Sequence, residues 1–348
     1  MAVPNARAGA AVTLRDVAQV AGVHPATVSR ALNEETRALV NEETARRVLK
    51  AAEKLGYQPN PIARGLKTNR SYTVGVLIPD LTNPLFPPIL RGIEDCLVTA
   101  GYTALTANTD NDPERELLDS QTMRARQVDG IIAATARRDH RLHDALLEAG
   151  IELVLVNRRQ DELPVSSATA DDRMGMRLSV EHLLSLGHTR IAHLGGPLDY
   201  STGLDRHDSF HETMRAAGHE PDPELVVVAE AFTESEGARL CGQLLGDGRE
   251  FTAVAAANDL LALGCYDVFA ERGLRCPEDV SVVGFNDMPF AARFNPPLTT
   301  IQIPHYEIGR EAAQLMLERL QDGDSAPREV RLEPSLIVRE STAPPRQS

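Results

Sequence analysis

Between Thr13 and Asn33 the chain sets one arginine, Arg30, among the small and hydroxyl side chains Pro25, Ala26, Thr27 and Ser29. A guanidinium on an outward helix face can donate two bonds to guanine O6 and N7, a contact that discriminates between bases by roughly 1 to 3 kcal/mol. Pro25 and Ala26 offer only van der Waals contact, for example to a thymine methyl. Other candidates for chemistry are weaker. His207 and His211 stand four apart, as two ligands on one helix face would, but the glutamate of an HExxH pair is missing, so no metal is expected. His140 and His143 lie on a polar stretch and read as solvated. No GxGxxG follows a predicted strand, Gly195-Gly196-Pro197 is too short to cradle a pyrophosphate, and no GxSxG occurs. A NAD-dependent oxidoreductase and a serine hydrolase therefore lose support; the chain reads as a non-enzyme without a cofactor.

The elements that must carry Arg30 are legible nearby. Thr13 and Asp16 have the spacing of a capping box, and Leu14, Val17, Ala18 and Ala21 then share one helix face. Gly22 suits a helix C-terminus, Val23 plugs a tight turn, and Pro25 suits the first position of a second helix. That helix turns Val28, Ala31 and Leu32 inward and leaves Ala26, Thr27, Ser29 and Arg30 outward. A third amphipathic helix, about Glu42 to Leu55, closes the core with Val48, Leu49, Ala52 and Leu55 and ends at Gly56. Three short helices with a glycine-hinged turn between the first two make a helix-turn-helix, whose second helix can enter the major groove. A generic three-helix bundle is the competing reading.

Charge supports the first. The net charge of −14 argues against nucleic acid, but residues 1 to 71 carry eleven Arg and Lys against six acids, a balance of +5 that leaves −19 for the rest. All three lysines lie in that first segment. One small basic module and one acidic body are thereby predicted. Residues 57 to 70 hold Pro59, Pro61 and Gly65 with few apolar side chains, and read as a linker.

Beyond Ser71 apolar strands alternate with helical stretches, from Thr73 to Ile78 through Leu153 to Val156, and again from Met174 through Val280 to Phe285. Such alternation predicts an α/β fold with parallel sheets, helices on both faces, and two similar lobes. Ligands of these sheets sit beyond the carboxyl ends of the strands, so the cleft between lobes is the natural site. No apolar run reaches the ~18 to 20 residues of a membrane span. Met1 to Ala11 lacks the basic and apolar regions of a secretion signal, and Cys96, Cys241, Cys265 and Cys276 show no CxxC spacing, so a cytoplasmic protein with reduced thiols is expected.

The run from Val12 to Asn33 resembles the DNA-binding headpiece of the lactose-repressor (LacI/GalR) family over its whole length. The resemblance implies a transcriptional regulator, most often a repressor, working as a homodimer on near-palindromic operator DNA. It assigns Pro25, Ala26 and Arg30 to base reading, and Thr13, Thr27, Ser29 and Asn33 to phosphates. His24 departs from the usual Ser or Thr cap, and the loop from Asn33 to Val40 is about two residues longer than usual. Ala63 to Lys67 is similar to the family's hinge helix, which implies DNA contacts from Arg64, Leu66 and Lys67, with Leu66 as a minor-groove wedge. Landmarks such as Val74 to Phe86, Val156 to Arg159 and Gly195 to Pro197 resemble the family's effector domain, which is related to periplasmic sugar-binding proteins. An exported solute-binding protein would share that domain but not the headpiece.

The domains this implies are a disordered tail at 1–12, a headpiece at 13–58, a hinge at 59–71, an effector and dimerisation domain at 72–340, and a tail at 341–348. Crossings between lobes are expected near Ala168, Ile301 and Ala326, giving a first lobe of 72–167 and 301–326 and a second of 168–300 and 327–340. Pocket positions carried over one at a time are Asp80 at the rim, Leu85 and Phe86 as an apolar wall, and Asn157 and Arg158 after a strand. From the second lobe come Tyr200, Thr202, Arg206, Phe232, Asn258, Asp259, Asn286 and Asp287. Arg206 is the leading candidate for effector contact, an inter-lobe salt bridge being its alternative role. Asn286 stands where many relatives carry an Asp, so the effector, a sugar or related metabolite at the family level, is not inherited.

Overall fold

The computed structural model describes residues 12–57, 70–138, 141–161, 163–323 and 325–346. They form two compact units divided between Ser71 and Tyr72.

In the small unit α1 (Leu14–Ala21) is opened by the expected capping box, with the Thr13 N–H donating to the Asp16 carboxylate at 2.8 Å. It ends at Gly22 with φ 65°. Helix α2 (Pro25–Leu32) starts at His24, whose Nδ1 accepts the Ala26 N–H at 3.2 Å, so an imidazole does here what a Ser or Thr hydroxyl does elsewhere. The longer loop contains a one-turn helix α3 (Glu34–Arg37) not foreseen from sequence. Its role is local: the Thr36 hydroxyl donates to the Arg30 carbonyl and the Arg37 Nε to the Ala31 carbonyl, each at 3.1 Å. Those are two of the carbonyls that the last turn of α2 leaves without helical partners. Helix α4 (Glu42–Leu55) completes a core of Val17, Ala18, Ala21, Val28, Ala31, Ala45, Val48, Ala51 and Ala52. Leu49, expected in that core, is 37% exposed. One step past Val48 it lies about 100° round the helix, and Ala45 and Ala51 take the inner face instead.

The large unit holds two six-stranded sheets. The first orders β11 (Glu329–Leu332), β5 (Ser166–Ala170), β4 (Glu152–Val156), β3 (Gly130–Ala133), β1 (Thr73–Ile78) and β2 (Thr103–Asn108), all parallel. The second orders β12 (Ser335–Ile337), β10 (Thr299–Gln302), β9 (Ser281–Asn286), β8 (Ala253–Ala256), β6 (Ile191–Gly195) and β7 (Val226–Val228), with only β12 antiparallel. Central strands are buried along nearly their whole length because helices cover both faces. Those helices are α5 (Phe86–Thr99), α6 (Pro113–Ala125), α7 (Arg141–Glu148) and α12 (His305–Gln321) for the first lobe, and α8 (Asp172–Ser185), α9 (Ser201–Ala216), α10 (Glu234–Gly246) and α11 (Asp259–Arg272) for the second. Helices α5 and α12 nearly touch, since a side chain at Gly92 or Gly309 would run into the other's backbone.

Two expected boundaries are corrected. The chain leaves the first lobe after β5 and returns after β10, close to Ala168 and Ile301, but the last crossing falls at Glu333–Pro334 rather than near Ala326. Residues 327–332 therefore belong to the first lobe: β11 pairs with β5, Glu329 opposite Ser167. Of the segment expected as a tail at 341–348, residues 341–346 are built into the second lobe, and the last two lie outside the described residues. Ser341 is fully buried, its hydroxyl donating to the Val282 carbonyl at 2.6 Å and accepting the Thr299 N–H at 2.7 Å. A short polar stretch gives no pattern by which to foresee either placement.

Candidate functional site

Two places carry the expected residues. On α2, Ala26 and Arg30 are exposed, and Pro25, Thr27 and Ser29 are half-buried, around the inward Val28 and Ala31. Thr13 and Asn33 are exposed at the two ends of the helix pair, the Thr13 hydroxyl already donating to Asp16 at 2.7 Å. Arg15, Arg46, Arg47, Lys50 and Lys54 are exposed as well, while Arg37 and Arg70 are half-buried, so most of the described basic side chains of this unit face solvent. Arg64, Leu66 and Lys67 lie outside the described residues.

The second place is a cavity of about 220 Å³ between the lobes. Six strands deliver residues to it from their carboxyl ends: Pro79 and Asp80 after β1, Asn157 and Arg158 after β4, Tyr200 and Thr202 after β6, Phe232 after β7, Asn258 after β8, and Asn286 at the end of β9. Parallel strands all end on the same side, which is why residues so far apart in sequence meet. Leu85, Phe86 and Arg206 line it as well. Sequence reasoning missed Asn83, Asn111, Arg137, Glu230 and Thr233, which sit on loops with no periodicity to mark them.

Two expected residues are not in the lining. Asp259 is fully buried behind it, accepting from the Thr300 hydroxyl at 2.5 Å and the Met288 N–H at 2.7 Å. Burial pushes its carboxyl up to about 7 even with those donors present. Asp287 pairs with Arg339 at 2.7 Å and accepts from Gln302 at 2.9 Å. Both hold the loop that presents Asn286. The backbone there takes unusual angles, φ 108° at Asn286 and 52° at Asp287, and Asn157 has φ 65° in the facing loop. Such residues cost about 1 to 3 kcal/mol each and persist where the surroundings dictate them.

Arg206 is 3% exposed and its fork is partly used within its own lobe. Nη2 lies 2.6 Å and Nε 2.8 Å from Asp172, Nη1 donates to the Ala257 carbonyl at 2.5 Å, and the guanidinium lies 3.7 Å over the Phe285 ring. The inter-lobe salt bridge considered as its alternative role is thus an intra-lobe one. Asp172 is pushed up to about 6 by burial, with Arg206 pulling the other way. Asn258 caps α11, accepting the Leu261 N–H at 2.8 Å. Phe232 folds over Gly196, where any side chain would strike the ring.

Two buried polar atoms in this lining, Arg158 Nε and Asn286 Oδ1, have no hydrogen-bond partner. A wider groove of about 540 Å³ between α8 and α9 is different: its Arg173 and Arg177 are paired with Glu212 and Glu181. His143, expected in solvent, is fully buried with Nδ1 2.9 Å from Gln160 Oε1, and His140 lies outside the described residues. His207 and His211 pack edge to face, ring centroids 4.7 Å apart, and no cluster among the described residues has the ligands for a metal ion. No helix among them is long and apolar enough to cross a membrane.

A helix-turn-helix joined to a two-lobed fold with an inter-lobe cavity defines a DNA-binding regulator built on a periplasmic-binding-protein plan. Comparison agrees: residues 13–60 match the model of bacterial regulatory proteins of the lacI family, and residues 180–342 the periplasmic binding protein-like domain. The transcriptional regulator RegA of Clostridium saccharobutylicum is 35% identical over 95% of this chain and 99% of its own. Among solved structures, the lac repressor dimer bound to operator and the anti-inducer ONPF superposes with a TM-score of 0.85 at 28% identity, covering 96% of this chain and all of that one. The complex of the regulator CelR with cellobiose gives 0.74 at 33% identity, covering 95% and 99%. The chain belongs to the lacI family of bacterial regulatory proteins.

Proposed function

We propose that the protein is a homodimeric transcriptional repressor of the cytoplasm whose hold on operator DNA is set by a small polyhydroxylated effector in the inter-lobe cavity. The observation that carries this reading is the convergence of the expected effector residues, all but Asp259 and Asp287, on one cavity at the carboxyl ends of both sheets. Its polar groups include donors and acceptors with work left to do, and Leu85, Phe86, Tyr200 and Phe232 add faces on which a sugar ring can lie. Relatives in complex with operator and ONPF, and with cellobiose, support the same assignment. On DNA, α2 reads bases through Arg30 while the surrounding basic side chains neutralise phosphates. Two headpieces on a two-fold axis double that phosphate contribution and match a palindrome. Effector and operator are then linked through the lobes and the 58–69 connector, each changing the other's affinity by the same factor.

The test is selection of bound duplexes from a random library, followed by titration of the selected sequence with and without ligands that raise the protein's melting temperature. A defined near-palindrome is expected, its affinity shifted by such a ligand in the wild type and unshifted in Phe232→Ala, which keeps the headpiece intact. Recovery of random sequences at equal affinity overturns the reading.

A further inference from the structure

The cavity contains two buried guanidinium groups in unlike circumstances. Arg206 is balanced by Asp172 at 2.6 Å. Arg158, 6% exposed, is not: its Nε has no hydrogen-bond partner, and no carboxylate among the described residues forms an ion pair with it. The acids nearby are held by others: the buried Glu116, which feels both Arg137 and Arg158 but is pushed up to about 7 by burial, accepts from the Thr135 hydroxyl. Arg159 next along the chain holds Asp161 and Asp205, and Asp199 lies 3.7 Å from Arg137. Asp80 at the half-buried rim accepts from Thr82, and Glu230 is exposed. The left-handed backbone at Asn157 directs the chain so that the Arg158 guanidinium lies 3.7 Å over the Tyr200 ring of the opposite lobe. Stacking on an aromatic face offsets only part of what a buried cation loses in hydration. Arg137 lines the same wall, its guanidinium carbon 5.8 Å from the same ring.

A cation held out of water with no carboxylate paired to it, on the wall of an open cavity, favours a negatively charged ligand. We infer that the effector is an anionic polyol, a small sugar phosphate or sugar acid whose negative group sits against Arg158 with Arg137 as a second cation. The unpartnered amide oxygen of Asn286, on the other lobe, takes a hydroxyl donor of the same molecule, so charge and hydroxyl together tie the lobes. About 220 Å³ is below the roughly 300 to 1,000 Å³ usual for drug-sized ligands, which fits one sugar ring rather than two. Burial lowers the Arg158 pKa, with Asp199 and Tyr200 acting in the other direction, and an anion adds the missing support. The inference rests on the cavity being the effector site, and the experiment separates the two.

Full-length wild type, Arg158→Gln and Phe232→Ala are compared by thermal shift and calorimetry at constant ionic strength. The probes are matched pairs, ribose with ribose 5-phosphate and glucose with glucose 6-phosphate or glucuronate, together with inorganic phosphate alone. The two charged glucose derivatives distinguish phosphate from carboxylate. A charged probe is expected to bind wild type about tenfold or more tighter than its neutral partner, with the preference gone in Arg158→Gln. Without ligand, Arg158→Gln is expected to melt no lower than wild type, since it removes an unpaired buried charge. Equal responses of wild type and Arg158→Gln to every charged probe and to phosphate overturn the charge assignment. A neutral sugar that stabilises Arg158→Gln but not Phe232→Ala does the same while leaving the cavity as the effector site. Stabilisation that survives both substitutions places the ligand elsewhere and overturns the effector-site reading itself.

Discussion

Arg159 of the first lobe donates from one guanidinium nitrogen to both carboxylate oxygens of Asp205 on α9 of the second, at 3.0 Å each. Its backbone N–H also donates to the Ser201 hydroxyl at 3.0 Å, and the Arg138 N–H reaches the Asp199 carbonyl at 2.9 Å. The loop after β4 is thus fastened to the start of α9 on one flank of the cavity. Because Arg158 and Asn157 sit on that same loop, the fastening sets how the first lobe's donors face the second.

This pair is half-buried, 22% and 14% exposed, so it is worth more than a surface pair but is not a desolvated one. Asp205→Asn and Arg159→Gln should each lower stability by about 1 to 2 kcal/mol, and the double variant by clearly less than their sum. A double-mutant cycle by urea unfolding measures it. Additive losses would show that the pair does not couple the lobes.

Arg30 is exposed on α2 while its carbonyl is held by Thr36, so removing the side chain should leave the helix standing. Arg30→Ala is expected to weaken operator binding by about 1 to 3 kcal/mol and to relax preference at one base pair per half-site. Arg46→Ala, by contrast, should weaken specific and random duplexes alike. Anisotropy titrations against single-base operator variants would refute the base-reading role if Arg30→Ala lost affinity uniformly.

Asp259 gives the protein a pH response of definite sign. Its carboxyl is raised from an ordinary value of 3.8 to about 7, so the folded state holds a proton that the unfolded chain releases over that interval. The stability this supplies is complete below about pH 4 and is lost as pH rises through 7. Asp259→Asn, which keeps the amide in the place of the protonated acid, should remove that part of the slope. Denaturation series from pH 4 to 8 read the difference, and an unchanged slope would show that Asp259 is ionised when folded.

Much of this architecture was legible beforehand because two periodicities are written plainly. The apolar spacing of α1, α2 and α4 and the apolar runs of β1, β3 and β8 follow from what each element must bury. Strand β5 was not legible: Ser-Ser-Ala-Thr-Ala has no bulky apolar residue, yet every position is buried because the strand lies inside the sheet with α12 packed against it. The first turn of α9, from Ser201 to Arg206, was hidden by its small and polar side chains, which the cavity requires rather than the helix. His143 read as solvated for the same reason in reverse, its polarity giving no sign of the pocket that encloses it.

By itself the sequence determined that a small basic helix-turn-helix precedes an acidic two-lobed α/β body, since capping, helical spacing and charge are local properties that survive without a fold. It also determined which residue types reach the cavity, Arg158 and Arg206 among them. Only the tertiary structure decided their partners: Asp172 sits 34 positions from Arg206 and balances it, while Arg158 pairs with no acid although Arg159 beside it pairs with Asp161, Asp205 and Glu329. Whether a buried charge is satisfied depends on distances across the fold, and those are set by the packing of strands and helices that no local stretch of chain records.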